Sequence, residues 1–127
     1  MKANKRFTSK VLESISKDKI LGMRAGRGTT HPIIGIWAVV VERRVFVRSW
    51  SMKPRGWWRT FLEDPQGIIV LGEKEIPVRA IQTRSDRLKD LVSAAFKEKY
   101  SRPGDIQYVK DMSRKKSRDT TTELTLI

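Results

Sequence analysis

The chain has 127 residues, enough for one hydrophobic core and a single domain over 1–127, and 27 Lys and Arg stand against 14 Asp and Glu for a net charge of +13. With no cysteine and one histidine, His31, disulfides, thiolate nucleophiles and Cys/His metal sites are excluded, and no metal site is expected. The longest apolar run, Ile33 to Val41, is too short to span a bilayer, and Met1 to Phe7 is basic without an apolar signal core, so a cytoplasmic protein with no membrane contact is expected.

A first helix is predicted from Ser9 to Lys19, where Val11, Leu12 and Ile15 fall at helical spacing. Ile20 to Met23 reads as a short strand, and Gly26 to Pro32 as a loop. Ile33 to Val41 is apolar on both parities, which predicts one strand buried on both faces, with Trp37 in the core. Glu42-Arg43-Arg44 makes the turn, and Val45 to Trp50 returns as the second arm of a hairpin with Phe46, Arg48 and Trp50 on one face.

Arg55 to Glu63 predicts a short helix whose Trp57, Trp58, Phe61 and Leu62 form an apolar stripe, ended by Pro65. The adjacent Trp57 and Trp58 point about 100° apart, so one is expected in the core and the other at a rim or interface. Two strands follow, Ile68 to Leu71 and Glu75 to Gln82, the second with an edge or bulge at Pro77. The longest helix is predicted from Ser85 to Tyr100, with Leu88, Leu91, Val92, Ala95 and Phe96 in register and Pro103-Gly104 as its stop. Ile106 to Val109 is ambiguous, and the basic stretch Asp111 to Asp119 is expected to be mobile. Alternation returns at the end, where Thr122, Leu124 and Leu126 share one face of a last strand. Consecutive hairpins with inserted helices predict the α+β class with an antiparallel sheet of six strands and two to three flanking helices.

Most of the chemistry sits in Arg48-Ser49-Trp50-Ser51-Met52-Lys53-Pro54-Arg55-Gly56-Trp57-Trp58-Arg59, where indoles interleave with cations at a strand-to-helix junction. Flat aromatic surface beside fixed positive charge suits a ligand that is part ring system and part phosphate, either a flavin-like cofactor or a nucleic acid. Lys53, Arg55, Arg59 and the hydroxyls of Ser49 and Ser51 are candidates for the phosphate, with Trp50 at the strand end for the ring. A capped surface helix with ordinary charges is the bland alternative. Gly26-Arg27-Gly28-Thr29-Thr30 matches neither a P-loop nor a dinucleotide fingerprint, and reads as a flexible loop or a second anion contact. No nucleophile elbow, HExxH pattern or embedded carboxylate pair is present, so any redox chemistry would belong to a bound cofactor.

The segment Val45 to Pro65 resembles the central segment of split-barrel flavin proteins, most closely the deazaflavin-dependent nitroreductase branch. There a strand ending in serine leads through a Gly/Lys/Pro loop to a Trp-Tyr-His-Asn-Leu helix that closes near Asn-Pro. Here that helix reads Trp57-Trp58-Arg59-Thr60-Phe61 and closes at Asp64-Pro65, while Gly26 to Pro32 resembles the upstream Gly-Arg loop. Ile36-Trp37-Ala38-Val39-Val40, Phe46-Val47-Arg48-Ser49-Trp50 and Thr121-Thr122-Glu123-Leu124 are similar to an uncharacterised bacterial domain family of about this length. The resemblance implies a six-stranded antiparallel split β-barrel, often a homodimer, that holds FMN or a deazaflavin by its phosphate for hydride or electron transfer. It would place Ser49, Ser51, Lys53 and Arg55 at the phosphate, Trp58 at the aromatic position of the helix, and Arg27 and Thr30 in the upstream loop. The family's His-Asn pair is replaced by Arg59-Thr60, and its Gly-Gly by Trp50 and Ser51. Trp50 could therefore stack on a ring or fill the pocket. The second outcome would leave a non-enzymatic barrel without cofactor, and a third reading is a basic module for single-stranded nucleic acid with Trp50 or Trp58 as stacking platform.

Overall fold

The computed structural model describes residues 6–28, 31–50 and 56–127. Along the chain the order is α1 (Ser9–Lys17), β1 (Leu21–Ala25), β2 (Ile34–Ile36), β3 (Ala38–Val41), β4 (Arg44–Val47), α2 (Trp57–Glu63), β5 (Gln66–Leu71), β6 (Lys74–Gln82), α3 (Asp86–Lys99), α4 (Pro103–Met112), α5 (Lys115–Arg118) and β7 (Thr122–Leu126). The strands form one antiparallel sheet in the order β2-β1-β5-β6-β7-β4-β3. Its two edge strands, β2 and β3, are consecutive in sequence and separated only by Trp37. A sheet whose first and last strands are joined by one residue has curled almost shut, so the architecture is a nearly closed barrel.

The α+β class and antiparallel pairing agree with the sequence, and the counts do not. Among the described residues there are seven strands, because the run Ile33 to Val41 is divided at Trp37 and its halves lie on opposite edges of the sheet. The described residues form five helices, because the segment expected to be ambiguous and then mobile folds as α4 and α5. Pro103, read as a stop for α3, is the first residue of α4, where its missing N–H is not needed.

Two cores lie on opposite faces of β3 and β4. The barrel interior takes Ala38, Val45 and Val47 together with Met23, Ile69, Val78 and Leu124, and receives Leu12 and Ile15 from α1 and Phe61 from α2. The outer face carries Val39, Val41 and Phe46, covered by Leu88, Val92 and Phe96 of α3 at i, i+4 and i+8, with Val109 and Met112 of α4. Helices α1 and α3 start on side-chain caps, Thr8 accepting from Val11 N at 3.2 Å and Ser85 from Leu88 N at 3.2 Å. Pro77 pairs with Ile68 on β5, and the β7 ladder begins only at Val78, so its missing donor meets no neighbour.

Candidate functional site

The break at Trp37 opens a cleft of about 340 Å³ on the outer side of the β2–β3 junction. Gly35, Ile36 and Trp37 form one side, the end of β4 supplies Arg48 and Trp50, α2 supplies Trp57, and α4 supplies Tyr108 and Met112. Trp37 is half-buried and not a core residue as its apolar surroundings suggest. One ring face stacks on Tyr100 with centroids 3.9 Å apart and planes 4° from parallel. Tyr108 meets Trp37 edge to face at 6.0 Å and Trp50 at 5.8 Å, so three aromatic rings wall the cleft in continuous contact. Trp50 is 60% exposed and its indole N–H reaches Asp111 Oδ2 at 3.4 Å, which holds the ring at the rim and not inside the cleft.

The ends of the helices fix these walls. Tyr100 Oη donates to Lys19 O at 2.7 Å and accepts from Ala38 N at 3.3 Å, tying the end of α3 to the residue after Trp37. Lys99 Nζ donates to Ala38 O at 2.6 Å and to Ile15 O at 2.8 Å, and burial pushes its amine down from 10.5 to about 8. Lys19 pairs at 2.9 Å with Asp105, a buried residue in the first turn of α4. That contact anchors the helix so that Tyr108 and Met112, three and seven residues on, face the cleft.

Arg48 is the unusual group. It is 3% exposed and pairs with no carboxylate among the described residues. Its Nε donates to Thr121 Oγ1 at 2.8 Å, Nη1 to Ser93 Oγ at 2.8 Å and Met112 O at 3.0 Å, and Nη2 to Lys89 O at 2.7 Å. Burial lowers its pKa to about 10, repulsion from Arg118 adds to the fall, and attraction from Asp90 opposes it. Four neutral acceptors hold a full positive charge at the cleft wall. That charge is free to interact with an anionic or electron-rich ligand through its field.

Of the residues singled out in the sequence, Arg48 and Trp50 meet in this cleft. Ser49 is buried beside them, its N–H donating to Thr120 Oγ1 at 2.8 Å and its carbonyl accepting from Ser117 Oγ at 2.8 Å. Trp58 turns away and donates to Gln82 Oε1 at 2.8 Å, with the Arg59 guanidinium 5.8 Å from its ring centroid. Its neighbour Trp57 lines the cleft and packs edge to face on Phe61. Arg27 pairs with Asp64 at 3.2 Å, while its backbone N–H bonds the same carboxylate at 2.9 Å and holds that acid below the usual carboxylate range. It ties the loop after β1 to the end of α2, outside the cleft. Thr30, Ser51, Lys53 and Arg55 lie outside the described residues.

The sequence places Trp37 in the core and leaves Trp57 at core or rim, and it gives Tyr108, Met112 and the acceptors Ser93, Thr120 and Thr121 no functional role. The signal for them is an arginine in an otherwise apolar strand, which needs neutral acceptors, and Thr120-Thr121-Thr122 offers a run of them. Among the described residues no cluster of His, Asp or Glu could hold a metal ion, and no helix is long and apolar enough to cross a membrane.

Two solved structures share the fold over nearly the whole chain. A conserved hypothetical protein of Mycobacterium tuberculosis, Rv2991, aligns with TM-score 0.60 at 10% identity, over 100% of this chain and 84% of that one. HutZ of Vibrio cholerae, described as the heme storage protein, aligns with TM-score 0.62 at 15% identity, over 96% and 89%. No curated protein matches by sequence. A sequence family matches over residues 11–124, and the protein belongs to that family, described as an uncharacterized protein conserved in bacteria (DUF2255).

Proposed function

We propose that the cleft binds a planar heteroaromatic cofactor of the flavin or deazaflavin class, FMN-like in carrying a phosphate, and that the protein is an oxidoreductase working by hydride or electron transfer. The observation that carries this reading is an aromatic-walled cleft of about 340 Å³, within the size range of small-ligand sites, with a buried guanidinium that has no carboxylate partner. Trp37, Tyr108 and Trp57 offer faces and edges to a ring system, with Trp50 at the rim. The fixed charge of Arg48 favours an electron-rich ring, more so when the ring is reduced and gains negative charge. Lys53 and Arg55 lie within three residues of Trp50 or Trp57 along the chain and are assigned the phosphate. A flavin would supply a two-electron acceptor, while this chain supplies stacking surface, charge and exclusion of water.

A homodimer accompanies this reading. Ile20 and Ile33 are 49% and 45% exposed, and Ile20 lies so close to Gly35 that a Cβ there would come within 2.5 Å of its methyl. An apolar patch therefore adjoins the cleft and suits a second copy. The HutZ likeness raises a porphyrin as a rival planar ligand. Among the described residues the cleft lining offers the Met112 thioether and no imidazole as a soft ligand, whereas its aromatic rings suit either planar ligand.

Tryptophan fluorescence titrated with FMN, riboflavin, a deazaflavin, hemin and a single-stranded oligonucleotide tests the proposal. Saturable quenching by FMN or the deazaflavin in the micromolar range is expected. Lys53→Ala with Arg55→Ala should weaken FMN at least tenfold and leave riboflavin nearly unchanged. Equal losses for both ligands would exclude the phosphate role. Quenching by hemin or the oligonucleotide alone would sink the flavin reading.

A further inference from the structure

A second concavity, of about 700 Å³, runs over the outer surface of β7 and is separate from the aromatic cleft. Four arginines line it, from four places in the chain: Arg6 before α1, Arg43 in the β3–β4 turn, Arg44 at the start of β4, and Arg79 on β6. Two side-chain carboxylates line it too, beside the main chain of Ile127, and each of the two is already taken. Glu123 accepts both guanidinium branches of Arg44 at 3.0 and 2.6 Å, and Glu42 is held by Arg87 at 2.6 and 3.2 Å. Arg6, Arg43 and Arg79 are left without a carboxylate partner among the described residues, and Arg43 is steadied only by Ser9 Oγ at 3.1 Å. Three uncompensated like charges around one hollow repel one another unless an anion joins them.

The turn that presents Arg43 is a second, independent sign. The hairpin closes with Val41 opposite Arg44, so Glu42 and Arg43 form a two-residue loop, with φ of 52° and 61°. That geometry favours Asn-Gly, because L side chains are strained at positive φ. Keeping Glu and Arg there retains two long charged side chains at a conformational cost, one fixing the tip to α3 and the other reaching the groove.

The spacing selects the class of ligand. Arg79 lies opposite Thr125 on β7, and the β4–β7 register places Arg44 opposite the same threonine from the other side. Arg43, the residue immediately before Arg44, and Arg79 therefore carry the uncompensated charges on the two flanks, about two strand spacings apart at the backbone or on the order of 10 Å, which suits a chain of linked oxyanions better than one phosphate. No exposed aromatic ring lines the groove, because Phe7 is buried, so base stacking has no platform there.

We infer that this groove is a binding site for a polyphosphate group, meaning two or more linked phosphates, held by Arg43 and Arg79 from opposite sides of β7 with Arg6 also on the groove wall. The inference goes beyond the cofactor reading of the cleft and stands without it.

Titration calorimetry of the full chain with inorganic tripolyphosphate provides the test. Saturable binding is expected, weakening steeply with added salt, and falling at least tenfold in Arg43→Gly with Arg79→Gln. Glycine accepts the φ of residue 43 and Arg79 is exposed, so the double variant should fold, which circular dichroism checks. Lys53→Ala with Arg55→Ala should leave tripolyphosphate binding unchanged, and Arg43→Gly with Arg79→Gln should leave quenching by FMN unchanged. The inference is overturned by absence of saturable binding at millimolar tripolyphosphate, by binding that survives the groove variants, or by binding lost instead with Lys53 and Arg55. An acidic hexapeptide or an oligothymidine that binds more tightly than tripolyphosphate would also overturn it.

Discussion

Replacing Arg48 with methionine tests the group on which the cleft is built. The substitution keeps most of the side-chain volume and removes four hydrogen bonds from a charged donor, to Thr121, Ser93, Met112 and Lys89. At about 1.5 kcal/mol each, the gross loss is about 6 kcal/mol. Against it stands the relief of a buried charge, since a fall in pKa from 12.5 to about 10 corresponds to about 3 kcal/mol disfavouring the cation. The net expectation is a loss of about 3 kcal/mol, or a melting midpoint lower by about 10 °C for a chain of this size. Urea titration followed by far-ultraviolet circular dichroism measures it, and fluorescence titration with FMN under folded conditions should show weakened binding. A variant within 0.5 kcal/mol of wild type, by the roughly 0.5 kcal/mol spread of neutral surface changes, would mean that the four bonds do no more than offset burial. Unchanged FMN affinity in the folded variant would refute the assignment of Arg48 to the cofactor field.

Two glycines predict opposite outcomes. A Cβ on Gly67 would lie 2.3 Å from the carbonyl oxygen of Arg24 and 3.0 Å from Phe61, so Gly67→Ala should destabilise by about 2–3 kcal/mol in the same urea titration. Gly104, in the first turn of α4 with open space around it, should stabilise by about 0.5–1 kcal/mol when replaced by alanine. Lys99 gives a pH signature. Its folded pKa of about 8 lies below the ordinary 10.5, so between these values the unfolded chain holds a proton that the folded chain has released. Stability should therefore rise with pH across that window and carry its full penalty below it, and Lys99→Met should flatten the rise in denaturation midpoints measured from pH 7.5 to 10.

Local chemistry was legible wherever it was decided locally. The alternation of Val45, Val47 and Phe46 and the spacing of Leu88, Val92 and Phe96 lead directly to β4 between two cores and to the helix that covers it. The division at Trp37 was not legible, since Ile36-Trp37-Ala38 contains no glycine or proline, and the break is imposed by closure of the barrel. Helix α4 was obscured because Asp105, which interrupts the apolar pattern, is buried against Lys19, a partner 86 residues away. The choice between Trp57 and Trp58 turned on Phe61 and Gln82, contacts that adjacent indoles in a sequence do not reveal. For the cleft, the end of β4 could be read in advance, whereas its far wall comes from α4, brought in only by tertiary packing.

A single residue, Trp37, joins the two margins of the sheet, and its indole faces the cleft between them. Whatever occupies that space touches the β2 margin and the joining residue together, with Arg48 and Trp50 beyond the end of β4 on the same cleft. A ligand gripped there would brace the joint between the two edge strands, so binding and the stability of that joint are linked. Protection of the Ala38 amide against hydrogen exchange, bonded as it is to Tyr100, would report ligand arrival from a position that no ligand touches.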